Sequence, residues 1–406
     1  MERTIYREIE VTRPVWLLAL FLAILIALAA ASFFYVELNG HVVTGMNNQI
    51  VWGLPHVFAI FLIVAASGAL NVASVATVFG KAPYKPMARL SALLALALLA
   101  GGLGVLVLDL GRPDRIIVAM TKYNFSSIFA WNIFLYTGFL GVVGAYLYVQ
   151  MARGMSQKIV KSVGTLAFVW RLALTTGTGS IFGWLVARSA YDAAIMAPLF
   201  IAMSFSFGLA AFILVITAIY RLTGRQLGSQ LLARLGRLLG IFATLVLYFT
   251  AVQHLTNLYV AEHVAVEKFL LVDGGVYTIL FWLFQVVIGG LVPISLLFHS
   301  ATVRKPSLIL MASILIIIGG MAQIYVIVIG GQAFPLEIFP GFKETSSFFD
   351  GQINSYTPSL VELGLGIGGV ALALAITMLG TRILRILPTN LSDANIDPQH
   401  KTRKAV

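Results

Sequence analysis

The sequence predicts an all-α integral membrane protein: ten transmembrane helices, two four-helix bundles at the centre (helices 2–5 and 6–9), helices 1 and 10 flanking them, and both termini cytoplasmic. Three observations predict it. Of the 406 residues, 59% are hydrophobic and 11% charged, and mean hydropathy is +0.94. Soluble domains carry about 25% charged residues, so this chain has too few charges to cover a water-facing surface. Disorder would need the reverse composition. The apolar residues gather in ten runs, each near the ~20 residues that a helix needs to cross the hydrocarbon core. They do not alternate every second residue, as barrel strands would. The 27 Lys and Arg, against 16 Asp and Glu, lie mostly on one side of those runs.

The runs cover 15–36, 55–79, 88–109, 125–151, 163–187, 194–220, 236–261, 274–299, 307–329 and 358–380. The first is longer than a signal-peptide core and lacks a small-residue cleavage site, so it is expected to remain as a helix. Pro55 opens the second, where a missing N–H costs nothing, and Pro198 lies near the start of the sixth. Helix two passes through Ser67-Gly68-Ala69, and helix six through Ser206-Phe207-Gly208-Leu209-Ala210. Helix four carries Trp131-Asn132; helix eight carries Trp282 and Gln285. The pattern thus returns four helices later in the same orientation, which suggests the two bundles. The expected organisation is an N-terminal helix and outer loop (1–54), a first bundle (55–187), a second bundle (194–329), an outer loop (330–357), the tenth helix (358–380) and a cytoplasmic tail (381–406). Pairs such as Gly101-Gly102, Gly289-Gly290 and Gly319-Gly320 suit close helix contact.

With the N-terminus inside, 20 Lys and Arg fall on the inner side and 6 on the outer, while Arg171 lies within a run. The positive-inside bias therefore places both termini in the cytoplasm. The net charge of +11 is accounted for by topology, with no need of nucleic acid. The outer loops 37–54, 110–124 and 330–357 are the longer ones, and long loops in a compact protein tend to be functional. The working face is expected to be the outer one. No Cys occurs, so disulfides, iron–sulfur ligation and covalent c-type haem do not belong to this chain. Metal sites, nucleophile elbows and phosphate loops have no matching motif.

Polar groups inside lipid are costly and mark candidate sites. His56 is one turn into helix two, preceded by Asn47-Asn48-Gln49 and Trp52. Asp109 closes helix three on the same side. Asn132 is early in helix four, Gln253 and His254 are in the outer third of helix seven, and Glu262 is at its end. Most of these lie at one depth below the outer surface. A quinone needs one or two polar ligands, aromatic walls, an opening to the bilayer and a group that exchanges protons near neutrality. His56 with Asp109 or Glu262 would meet that need. The plainer readings are a hydrogen-bonded His at a helix terminus and an Asp109–Arg112 ion pair in a loop. Deeper, Asn71, Ser74 and Thr77 follow one another along helix two, and Arg171 enters helix five. With His254 and Glu262, Asn71 and Arg171 are candidates for proton transfer, although Arg171 also suits a snorkelling or backbone-binding role. A haem between His56 and His254 is the rival cofactor. A secondary transporter is the alternative function, since repeats and buried polar groups occur there too.

The run Asp109-Leu-Gly-Arg-Pro-Asp-Arg115, which contains Gly111, Arg112, Pro113 and Arg115, resembles a motif of the NrfD/PsrC family of quinone-interacting membrane subunits. So do Asn124-Phe125, Trp131-Asn132, the segment Gly179-Ser-Ile-Phe-Gly-Trp-Leu-Val-Ala-Arg188, Pro198-Leu-Phe and Gly208-Leu-Ala. The resemblance covers helices two to nine. Within the family, the ten-helix length and the segment from Gly40 to His56 look most like the DsrP branch. That branch is the membrane subunit of the DsrMKJOP complex of dissimilatory sulfur metabolism. The resemblance implies an outer-side menaquinone or ubiquinone pocket in the first bundle. His56 would be a ligand, Asp109 a nearby acid, and Asn48, Trp52 and Asn132 wall residues. No haem or iron–sulfur cluster would be bound by this chain. The implied partners are a periplasmic iron–sulfur protein, a multihaem cytochrome c, a haem b membrane subunit and a cytoplasmic iron–sulfur subunit, together in a bacterial inner membrane. His254 and Glu262 match no family motif and rest on depth alone.

Overall fold

The computed structural model describes residues 4–300, 305–335 and 351–396. Arg3, Arg304, Lys343, Lys401, Arg403 and Lys404, and most of the 330–357 loop, lie outside the described residues. Among the described residues, ten helices are long and apolar enough to cross a membrane: α1 (Arg13–Asn39), α2 (Leu54–Thr77), α3 (Ala82–Leu108), α4 (Ile128–Met151), α5 (Gln157–Trp184), α6 (Met196–Leu222), α7 (Ser229–Tyr259), α8 (Val276–Phe298), α9 (Pro306–Ala333) and α10 (Leu360–Ile383). They coincide with the ten apolar runs. The chain is a multi-pass, all-α membrane protein.

Helices α2 to α5 form a ring, each against the next and α5 back against α2; α6 to α9 form a second ring in the same manner. The rings join where α2 meets α6, α5 meets α6 and α2 meets α9, while α10 lies against α3 and α2, and α1 against α10. The most apolar stretch of α2 is 94% buried and that of α1 only 11%, so α2 is the hub and α1 a lipid-facing rib. The α2–α6 seam depends on absent side chains. A Cβ on Gly208 would run into the backbone of Gly68 and Ala69, and one on Gly68 into the backbone of Ser204. The two echoing small-residue segments therefore meet each other, as small residues at helix crossings do. Gly289 and Gly319 do the same between α8 and α9.

Helix α2 is interrupted at Leu70, between its segments Leu54–Ala69 and Asn71–Thr77. Ser91 of α3 repairs the interruption: its Oγ donates to Ala69 O (2.6 Å) and accepts from Ala73 N (3.0 Å). A side chain inserted in this way is a recognised cause of helix kinks. Among the described residues, three segments are wound as π-helix, Phe269–Asp273, Leu280–Leu291 and Val326–Gly330, all in the second half of the chain.

On the face that carries the described ends of the chain, Tyr6–Arg7 pairs antiparallel with Leu387–Pro388, and Gln226–Leu227 pairs in parallel with Asn390–Leu391. This is the terminal face; the opposite one is the distal face. Helix α7 starts at Ser229, seven residues before its apolar run. Its first N–H groups are capped from far along the chain, with Gln230 N and Leu231 N donating to the Asp393 carboxylate at 3.2–3.3 Å. Helix α5 also starts early, at Gln157, because Ser156 Oγ accepts from Ile159 N as an N-cap. Arg171 is thus 14 residues into α5, or roughly 21 Å at 1.5 Å per residue.

A histidine–aspartate couple at an apolar cavity

The distal segment before α2 is assembled residue by residue. Asn47 Oδ1 accepts from Gln49 N and Ile50 N (2.9 and 2.8 Å), which makes a tight local turn. Gln49 is buried and donates through Nε2 to the Gln332 and Ala333 carbonyls, and Arg188 donates to Gln49 O (2.7 Å). Gln332 of α9 grips the backbone beside Trp52: its Oε1 accepts from Val51 N (2.9 Å) and Trp52 N (3.0 Å), and its Nε2 donates to Trp52 O (3.1 Å). Burial lowers the pKa of Arg188 and raises that of the Tyr191 phenol below it. The Trp52 indole stacks on Tyr191 and on His56, with centroids 6.5 and 6.0 Å away.

Trp52 and His56 thereby form part of the wall of a cavity of about 460 Å³ inside the first ring. Ile60 and Ile63 of α2, Leu103 and Leu106 of α3, Asn132 and Tyr136 of α4, and Thr178 and Phe182 of α5 contribute the sides. This volume is within the range of sites for small organic ligands. The short helix Ile116–Thr121 contributes Ile116, Ala119 and Met120 to the same lining. The 3-10 turn Pro113–Arg115 leads into it. Arg112 closes on Asp114 with two parallel bonds of 2.9 and 3.0 Å. The guanidinium holds the Asp114 carboxyl below the ordinary carboxylate range. The loop pair of Arg112 is therefore Asp114, not Asp109, and Gly111 abuts His41.

Asp109 instead faces His56. Pro55 fixes the first turn of α2, and Asp109 is the residue that ends α3, so antiparallel packing brings the two side chains together. His56 Nδ1 and Asp109 Oδ2 are 2.7 Å apart, with side-chain exposures of 19% and 1%. They lack the alignment of a hydrogen bond, and neither carboxylate oxygen has another partner. The attraction is therefore carried by charge more than by direction. A carboxylate this deeply buried needs a proton or a compensating cation, and the imidazole is placed to supply either. With Nδ1–H toward the carboxylate, Nε2 on the other edge of the ring is an acceptor when the ring is neutral.

Asn132 is equally committed. Its Nδ2 donates to Ile128 O (2.9 Å) and Gly177 O (3.1 Å), which leaves Oδ1 as a buried acceptor without a partner. Thr178 spends its hydrogen on Leu174 O (3.0 Å), so the long contact to Tyr136 (3.4 Å) is a donation from the phenol. Deeper in α5, Arg171 donates to Ser67 O (3.1 Å) and Asn71 Oδ1 (2.7 Å). It lies beside the Phe168 and Phe205 rings, and its Nε has no partner. A second, polar cavity of about 410 Å³, with Thr77, Lys85, Arg89 and Lys161 in its lining, opens on the terminal side of the same ring.

The structure thus brings together four of the five site residues that the sequence nominates: His56, Trp52 and Asn132 line the cavity, and Asp109 stands behind His56. Asn48 is exposed and is not part of the cavity lining; its neighbour Gln49 is the buried member of that segment. Glu262 is exposed, and the acid that meets His254 is Glu267 (2.6 Å). His254 belongs to the second ring and does not line the large cavity, so His56 and His254 share no ligand space. Sequence reasoning missed Gln332 and Tyr191, which hold Trp52 in place. No local signal exposes them, since their partners are more than 130 residues distant.

Residues 42–336 match the family described as polysulphide reductase, NrfD. The chain is similar to the Hdr-like menaquinol oxidoreductase integral membrane subunit of Archaeoglobus fulgidus, 30% identical over 372 residues, covering 90% of this chain and 93% of the relative. It is also similar to a putative dimethyl sulfoxide reductase membrane subunit of Halobacterium salinarum, 30% identical over 397 residues with 89% of each chain covered. A selenate reductase subunit of Mesobacillus selenatarsenatis is 22% identical over 405 residues, covering 89% of this chain and 92% of the relative. The family match spans well over half the chain and contains the whole of the cavity: this protein is a member of the NrfD family of membrane subunits.

Proposed function

We propose that the chain is the quinone-reactive membrane subunit of a respiratory oxidoreductase complex, and that the first-ring cavity takes the quinone head group. One observation carries this reading. His56, backed by Asp109, and Asn132, whose Oδ1 has no partner, line a cavity whose other walls are mostly apolar and aromatic. Such a ligand has an apolar body with an oxygen at each side of its ring, and the wall has matching parts. His56 Nε2 would accept a proton from the ligand, Asp109 would compensate the resulting imidazolium, and Asn132 Oδ1 would accept a hydrogen bond. Trp52 and Phe182 would bound the ring plane. A quinone supplies two-electron, two-proton chemistry; this chain holds and orients it and manages the proton at His56.

The electrons would pass to a partner docked on the distal loops. Two of the three relatives are named as membrane subunits, and the three belong to different oxidoreductases, which supports a shared membrane role with interchangeable partners. For this chain the proposed assembly is that of the DsrP branch. It comprises a periplasmic iron–sulfur protein, a multihaem cytochrome c, a haem b membrane subunit and a cytoplasmic iron–sulfur subunit, in a bacterial inner membrane, serving sulfur metabolism. The 20-to-6 charge division supports cytoplasmic termini and a periplasmic distal face. Asn71 and Arg171, between the large cavity and the polar one, are the proposed inner route for protons. Glu262, being exposed, is not retained in that role.

The test is His56→Ala in the assembled complex, with quinol-dependent reduction of the partner's clusters as the readout. Loss of reduction is expected, and unchanged turnover overturns the site. Substrate uptake by the purified chain in liposomes, without partners, would restore the transporter alternative. Full proton coupling in an Arg171→Met complex would remove the inner route.

A further inference from the structure

The second ring contains a buried ionisable couple that the proposed quinone site does not use. His254 and Asn257 lie one turn apart on α7 and reach the same carboxylate. His254 Nδ1 meets Glu267 Oε2 at 2.6 Å, and Asn257 Nδ2 donates to Glu267 Oε1 at 2.8 Å. Glu267 has a side-chain exposure of 1%, and no Lys or Arg among the described residues pairs with it. Its neighbour Lys268 turns outward to Asp273 (3.4 Å). His263 is held by Ser189 O (2.6 Å), and the edge of Phe281 covers the His254 ring at 4.7 Å.

Next to this couple is a small cavity of about 20 Å³, lined by His254 and by Gln253, Gln285 and Gln323, with a further space of about 10 Å³ adjoining at Gln285 and Gln323. A water needs roughly 10–15 Å³ and two to four polar partners. Gln253 and Gln285 are each 6% exposed, and their amides make no side-chain hydrogen bond within the described protein. Gln323 is held only by Thr250 Oγ1 (3.1 Å). Unpaired buried amides are expensive, so space and chemistry both call for water here.

A second, independent observation concerns the backbone. All three π-wound segments contribute to this lining: Leu270 comes from the first, Gln285 from the second, and Val326 and Ile327 from the third. π-turns are rare and concentrate at functional sites. Their convergence on a space of one or two waters marks it as built.

We propose that the second ring holds a hydrated proton-exchange site. Water bound by Gln253, Gln285 and Gln323 delivers a proton to His254 Nε2 and withdraws it again, while Glu267 fixes the ring and balances its charge. The step is balanced: a hydronium gives its proton to the Nε2 lone pair and leaves as water, and the imidazolium and carboxylate together are neutral. No oxidant or reductant takes part, so the proposal stands apart from the quinone reading. The 188–191 loop lies between the two sites, with Ala190 lining the small cavity and Tyr191 stacked on Trp52.

The test uses the full chain in lipid bilayers, with histidine ring nitrogens labelled and read by solid-state NMR. His254→Gln identifies the two ring signals by their disappearance. Magnetisation transfer from bulk water to His254 Nε2 is expected in the unmodified chain, and its loss is expected in both Gln285→Leu and Gln323→Leu. Unchanged signals from the other histidines would report an intact fold; Gln253→Leu substitutes for either variant that fails this check. In Glu267→Gln the Nδ1 signal is expected to shift as the carboxylate contact is lost. No transfer from water in the unmodified chain, or transfer that survives removal of the glutamines, overturns the proposal.

Discussion

His56→Ala should destabilise the protein chiefly through what it does to Asp109. The carboxylate has 1% side-chain exposure and His56 is its ion-pair partner, at 2.7 Å. Removing one member of a buried pair costs about 3–5 kcal/mol, because the other charge remains buried and uncompensated. The 19% exposure of His56 places the expected value near the lower end, about 3 kcal/mol, with about 0.5–1 kcal/mol more from the lost stacking on Trp52. Asp109→Asn removes the charge itself and keeps the shape, so its cost should be nearer 1 kcal/mol. The double variant should then be more stable than His56→Ala alone, by about 2 kcal/mol, since no uncompensated carboxylate is left. Equilibrium unfolding of the four proteins in mixed detergent micelles measures this cycle. Additivity of the two single changes to within about 0.5 kcal/mol would refute the charge-based account of the couple.

Three further expectations follow from the geometry. Gln332→Leu removes the acceptor of two backbone N–H groups and the donor to Trp52 O, bonds worth about 1 kcal/mol each. With about half of that roughly 3 kcal/mol felt at the ligand, quinol KM should rise by about tenfold, since 1.4 kcal/mol corresponds to a factor of ten, and an unchanged KM would count against the strap holding Trp52. Gly208→Val places atoms inside the Gly68 backbone and should cost at least the ~1–3 kcal/mol typical of overpacking. Gly141→Ala, where a Cβ meets nothing within 4 Å, should instead gain up to about 1 kcal/mol; similar melting shifts for the two would contradict the seam. Glu262→Gln should leave thermal stability unaltered, whereas Glu267→Gln should lower it by about 1–3 kcal/mol through the buried bonds to His254 and Asn257; the reverse order would show that the wrong acid had been paired.

The limits of sequence reading are visible at particular residues. Depth and the family motif nominate Asp109 and His56, because apolar runs place each residue along the membrane normal. Depth carries no angular information, so it cannot say that Asp109 faces His56 while Arg112 turns to Asp114. The same limit explains Glu262 and Glu267: both follow α7 at similar depth, and only the turn after Tyr259 decides which one is buried against His254. Asn48 and Gln49 differ by one position in a tight turn that Asn47 makes, and that turn buries the second. Helix ends escape sequence reading where the cap comes from elsewhere in the chain, as Asp393 does for α7.

By itself the sequence determined the solvent, the ten spans, the all-α class and the set of polar residues lying under one face. Hydrophobic length and charge are properties of consecutive residues, and lipid enforces them strictly. Tertiary structure alone decided which polar groups share a cavity, that Gly68 meets Gly208 at the seam, and that Gln332 and Tyr191 hold Trp52 over the His56 couple. Those outcomes depend on helix rotation and crossing, set by close contacts between segments far apart in the chain, and no local pattern encodes them.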